Sequence, residues 1–125
     1  MNVTEVFCVL LPVRIESEAN QREHWGTKAR RVKQHRQAAL VLVKRAMRNY
    51  AGERPVGAKV TLTRIAPRPL DGDNLQGALK ACRDGVADAL GFRDDSDPRL
   101  TWVYAQRASG KAHDYAAEVV IEVAP

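Results

Sequence analysis

At 125 residues, 45% of them hydrophobic and 28% charged, the chain has a globular composition and length enough to bury a core as one domain, residues 1–125, without staples. It lacks the ~20 consecutive apolar residues of a membrane span and the basic start of a secretory signal, so a cytoplasmic protein is expected. The net charge of +5 suits a polyanionic partner and is unevenly divided: residues 1–70 hold 14 Lys and Arg against 5 Glu and no Asp, residues 71–125 only 6 against 8 Asp and 2 Glu.

Residues 4–13, TEVFCVLLPV, are β-rich and apolar and predict a first strand ending near Pro12. Residues 15–26 are polar without a period and predict a loop. Thr27 can cap a helix that runs to about residue 49, in which Val32, Ala39, Leu40, Val43 and Met47 keep helical spacing. Residues 51–55 make a turn. Residues 58–66, AKVTLTRIA, alternate as a second strand that stops at Pro67–Arg68–Pro69. Leu75, Leu79, Cys82, Val86, Ala89 and Leu90 step by three and four, predicting a helix over 74–90 that Gly91 ends. The stripe decides this in spite of Gly77 and Gly85, which cost about 1 kcal/mol each relative to Ala. An acidic loop (93–99), a third strand (100–107), a turn around Gly110 (108–114) and an alternating last strand (115–123) complete the chain. The order β-α-β-α-β-β predicts an α/β protein of the α+β type, a small mixed sheet with two helices packed against it. Cys8 and Cys82 sit in apolar patterns that suit buried free thiols. With His24, His35 and His113 they show no zinc-ligand spacing.

The chemistry concentrates in residues 70–100, LDGDNLQGALKACRDGVADALGFRDDSDPRL. Asp71 and Asp73 stand at the mouth of the second helix; Asp94, Asp95 and Asp97 stand in the loop after its other end. Mg²⁺ prefers oxygen ligands, often one or two carboxylates with water and substrate phosphate, and phosphodiester hydrolysis uses such an ion. A helix of about 16 residues spans about 24 Å. Its ends therefore meet one metal only if the acidic loop runs back along it, or if a dimer completes the site. Plainer roles also fit: a capping box for Asp73 with Gln76, a turn for Asp71–Gly72, and solvated positions for Asp84 and Asp88.

The run Asp71-Gly72-Asp73-Asn74, a downstream lysine and Asp94-Asp95 after the helix resemble the RusA family of Holliday-junction resolvases. The element order agrees over most of the chain. Motif-strength likeness is confined to residues 70–97. The resemblance implies a homodimeric, often prophage-encoded and nucleoid-associated endonuclease of recombination and repair. It would use Mg²⁺, with Mn²⁺ able to substitute, to resolve four-way DNA junctions by paired symmetric nicks. By position, Asp71, Asp73 and Asp95 become metal and catalytic carboxylates, with Asp97 competing for the third place, and Lys80 becomes the catalytic lysine. The family lysine usually comes three residues after the Asn, where this chain has Gly77. Lys80 lies one turn further on, near the same face.

Lys28, Arg30, Arg31, Lys33 and Arg36 of the first helix are the expected DNA-binding residues, able to neutralise phosphates without sequence preference. Asn20, His24 and Trp25 loosely match a polar segment of the family. For Trp25 a partly buried anchor competes with stacking on a base; Trp102 and Tyr104 suit the core or a dimer surface. Two further readings stay open: a branched-DNA-binding module without chemistry, and a metal-dependent nuclease on flap DNA or RNA.

Overall fold

Strand periodicity decides which side chains meet the helices. In the computed structural model, which describes residues 5–17, 25–50, 55–111 and 114–124, the elements are β1 (Glu5–Leu11), α1 (Trp25–Ala46), β2 (Gly57–Ala66), α2 (Gly72–Ala89), β3 (Leu100–Ala108) and β4 (Ala116–Ala124). This is the expected α+β order. The four strands form one mixed sheet in the order β1-β4-β2-β3. β4 runs antiparallel to both neighbours, while β2 and β3 are parallel. The parallel pair follows from the α2 crossover, since a parallel return needs a connection of a dozen residues or more.

Alternate residues of each strand turn to one face, and both helices cover that face. Val9 and Leu11, Val60 and Leu62, Leu100, and Val119, Ile121 and Val123 join Ala39 and Val43 of α1 and Leu75, Leu79, Cys82 and Val86 of α2 in the core. The period of two fixes the fate of β1. With Val9 and Leu11 inward, Val6, Cys8 and Leu10 point outward and are exposed. The expectation of a buried Cys8 is thereby corrected. Cys82 is buried, and burial pushes its thiol pKa up to about 12.

Gly85 has a packing reason that propensity does not reveal. A Cβ there would stand 2.2 Å from the backbone oxygen of Arg36 and 2.7 Å from Ala39 Cβ, so α1 and α2 approach too closely here for any side chain. At Gly77 a Cβ would meet nothing within 4 Å.

Several boundaries move. α1 begins at Trp25, so Thr27 lies inside the helix and its Oγ1 accepts a hydrogen bond from Arg30; Thr27 is not the cap. Trp25 is 78% exposed, against the buried-anchor reading. Ile15 and Ser17, expected in a polar loop, are buried. Asn20, His24, His113 and most of the 51–55 turn lie outside the described residues. No helix among the described residues is long and apolar enough to cross a membrane.

Candidate metal and nucleic-acid site

α2 carries the predicted chemistry along one line. Asp73, Gly77, Lys80 and Asp84 are spaced by four, three and four residues, which aligns them on one helix face. Asp71 is the N-cap residue, in extended conformation (φ −62°, ψ 155°), and its side chain makes no capping hydrogen bond. Asp73 lies in the first turn, so the capping-box role anticipated for it does not occur. Both carboxylates are exposed, and neither has a partner among the described residues. At the N-terminal end of a helix their negative charge is favoured by the helix dipole.

The approach to these residues is held rigidly. Gln106 of β3 clamps the peptide of Leu70, accepting from its N–H (2.7 Å) and donating to its carbonyl (2.8 Å). Asp71 thus follows directly on a backbone pinned to the sheet.

At the other end the acidic loop does turn back to α2. Lys80 Nζ donates to Asp95 Oδ2 at 2.6 Å and to Asp84 Oδ1 at 2.8 Å. Arg83 Nη2 and Trp102 Nε1 both donate to the backbone carbonyl of Asp95, at 3.3 and 2.8 Å. Arg83 Nη1 donates to Tyr104 Oη at 2.7 Å, and its guanidinium lies over the Trp102 ring at 4.7 Å. Arg83 Nε also approaches Asp95 Oδ2 to 2.5 Å, with its N–H directed off the line to the oxygen, so the contact is ionic rather than an aligned hydrogen bond. Partial burial disfavours the Asp95 charge, but the hydrogen bond from Lys80 and the charges of Lys80 and Arg83 outweigh it and hold the carboxyl below its ordinary pKa. Burial likewise opposes the Lys80 charge, and the bonds to Asp84 and Asp95 overcome it, raising the ammonium pKa.

The remaining acidic candidates serve their own loop. Asp97 receives the guanidinium of Arg99 at 2.8 and 2.9 Å and the Arg99 N–H at 3.0 Å. Asp94 accepts from the backbone N–H and the hydroxyl of Ser96. Asp84 and Asp88, expected to be solvated, are instead paired, Asp88 with Arg36 through two hydrogen bonds of 2.7 and 3.0 Å.

Asp71 and Asp73 are a hard-oxygen pair open to solvent, and this donor set fits a hydrated Mg²⁺, which needs no more than one or two carboxylates beside water and phosphate. Asp95 is not gathered with them. Among the described residues no three His, Cys, Asp or Glu side chains stand together as a metal cluster.

The basic residues of α1 divide by direction. His35, Ala39 and Val43 mark its buried face. Arg30 and Lys33 point away from that face and are exposed, and Gln37, Val41 and Lys44 continue their line. Lys28 is exposed near the start of the helix, Arg31 is half-buried on its flank, and Arg36 is tied to Asp88. Lys44 was missed as a member of the exposed line. So were the roles of Arg83, Trp102 and Tyr104 in anchoring the acidic loop. The signal was present for Arg83, three residues after Lys80 and facing the same loop. For the two aromatics only tertiary contact reveals it.

No family model matches the chain. It is 39% identical over 83 residues, 60% of this chain, to a protein of Xylella fastidiosa (strain Temecula1 / ATCC 700964) described as an "Uncharacterized protein". The match spans about half, 51%, of that relative's length.

Proposed function

We infer that this protein is a metal-dependent endodeoxyribonuclease of the RusA kind that acts as a homodimer on four-way DNA junctions. The observation that carries the reading is the pair Asp71 and Asp73, exposed and without a partner among the described residues, on a clamped backbone and on the same helix that Asp95 meets through Lys80. Asp71 and Asp73 would hold Mg²⁺ or Mn²⁺. The bound ion supplies an activated water and offsets charge on the phosphate. Lys80, its side chain 55% exposed, keeps a positive charge along the same face for the phosphoryl oxygens. Asp95, fixed through its carbonyl by Trp102 and Arg83, orients the Lys80 ammonium. The exposed line of Arg30, Lys33 and Lys44 would follow the DNA backbone, and the exposed Trp25 ring would stack on a base. A dimer matches both the two nicks and the two-fold symmetry of a junction.

A second reading, a branched-DNA-binding module without chemistry, is favoured by two features: Asp95 is engaged by Lys80 and Arg83, and Gly77 stands where the family has its lysine. Incubation with labelled four-way junction, flap, linear duplex and RNA, each with Mg²⁺ and with EDTA, separates the readings. Paired symmetric nicks in the junction alone support the resolvase. Preferential cutting of the flap or the RNA moves the substrate to that class. Junction binding without any cleavage supports the module.

A further inference from the structure

A cleft of about 190 Å³ opens at the carboxyl ends of the parallel strands β2 and β3, beside the segment that leads into Asp71. It far exceeds the ~30 Å³ share of one water. Arg64, Arg68, Gln106 and Arg107 are among its walls, and no acidic residue is. None of these arginines has a part in the chemistry proposed for Asp71, Asp73 and Lys80.

Arg64 is only 5% exposed. Two of its donors are fixed by carbonyls, Nε to Ile15 at 2.7 Å and Nη1 to Arg68 at 2.6 Å. Among the described residues no carboxylate pairs with it. Glu16 and Tyr115 act on it only at a distance, and Glu16 is engaged by Arg14 at 3.0 Å. A buried guanidinium without a counter-charge is costly, and an anion in the cleft would offset that cost. Arg68, exposed at the mouth, has no side-chain partner among the described residues. Arg107 contributes least, since its guanidinium turns to Glu118 at 3.4 Å. Pro67 and Pro69 stiffen the wall. Gln106, opposite Arg64 in the β2–β3 register, ties the cleft to the Leu70 peptide.

We propose that this cleft is a phosphoryl-binding subsite that seats a substrate backbone phosphate beside the one held at Asp71 and Asp73, with Arg68 gripping the anion and Arg64 as the fixed charge behind it. That the phosphate belongs to DNA rests on the function proposed above; that the cleft takes a phosphoryl group does not.

The test compares full-length wild type, Arg68→Ala and, as a charge-matched control on the outer sheet face, Lys59→Ala, all in EDTA. Arg68 is exposed, so its loss leaves the fold intact, and circular dichroism verifies this. Calorimetric titration with pyrophosphate is expected to show saturable binding by wild type and Lys59→Ala, weakened about ten-fold in Arg68→Ala, as for a lost charge-assisted hydrogen bond. In a parallel titration with four-way junction, the slope of log affinity against log salt should flatten by about 0.9 in Arg68→Ala alone. Absence of saturable pyrophosphate binding, or equal binding by Arg68→Ala, overturns the subsite. Pyrophosphate binding that depends on Arg68, beside an unchanged DNA slope, overturns its assignment to DNA in favour of a free phosphate ester. If wild type binds no branched DNA while pyrophosphate binding still depends on Arg68, the subsite stands and the nuclease reading falls.

Discussion

Lys80 Nζ stands 2.6 Å from Asp95 Oδ2, a hydrogen-bonded ion pair that joins the middle of α2 to a loop fifteen residues further along the chain. It settles how an acidic loop beyond the carboxyl end of the helix comes back to the helix face. It also gives Asp95 a partner other than a cation bound from solution. Trp102 and Arg83 hold the Asp95 carbonyl from behind, so the loop returns through three donors and not through the carboxylate alone.

The Lys80–Asp95 pair has a pH signature. The ordinary carboxylate pKa is 3.8, and that of Asp95 is lowered in the fold. A depressed carboxyl contributes stability that is present above its unfolded pKa and lost as pH falls through its folded pKa. Asp95→Asn should therefore melt below wild type at neutral pH, by about 1 kcal/mol after allowance for the exposure of Lys80. The difference should shrink as pH drops below the ordinary value. Thermal melts from pH 7 to pH 2 check this; a constant difference across that range would remove the ion pair as its source.

Two glycines in the interior of α2, Gly77 and Gly85, should respond with opposite signs to the same substitution. Gly77→Ala enters open space and should stabilise by up to about 1 kcal/mol through helix propensity. Gly85→Ala drives a methyl into the backbone of Arg36 and should destabilise by about 1–3 kcal/mol, as overpacking does. Urea titrations of both variants give the comparison.

On α1, direction should decide which cations meet DNA. Arg30→Ala with Lys33→Ala should flatten the salt dependence of junction binding, by about 0.9 in log–log slope for each phosphate that is no longer neutralised. Arg36→Ala should leave the slope unchanged and instead lower stability by no more than about 1 kcal/mol, because it breaks a partly exposed pair with Asp88. Anisotropy titrations at several salt concentrations, with melts of the same proteins, distinguish the two effects.

The element order was legible in the sequence because α2, β2 and β4 each keep one clean period, and their core residues follow from it. β1 was less legible. Phe7, Val9 and Leu11 are apolar, but so are Val6, Cys8 and Leu10, so alternation could not say which set faces the helices, and Cys8 was expected inside. Asp71 and Asp73 were legible as carboxylates at a helix start, because two acids precede an amphipathic stripe. The Lys80–Asp95, Arg36–Asp88 and Arg83–Asp95 contacts were not. Those pairs join residues 12 to 52 positions apart, a separation no local pattern carries. The arginine cleft was hidden for the same reason: Arg64 and Gln106 come together only when β2 and β3 pair in parallel.

In the proposed nuclease, Asp71 and Asp73 hold a catalytic cation. The most direct measurement is cleavage of a labelled, mobile four-way junction with Mg²⁺ by wild type beside Asp73→Asn, with junction binding measured on both. The expected result is paired symmetric nicks from wild type and none from the variant, whose binding is equal or tighter because a negative charge facing phosphate is gone. Cleavage by Asp73→Asn at the wild-type rate would contradict the claim.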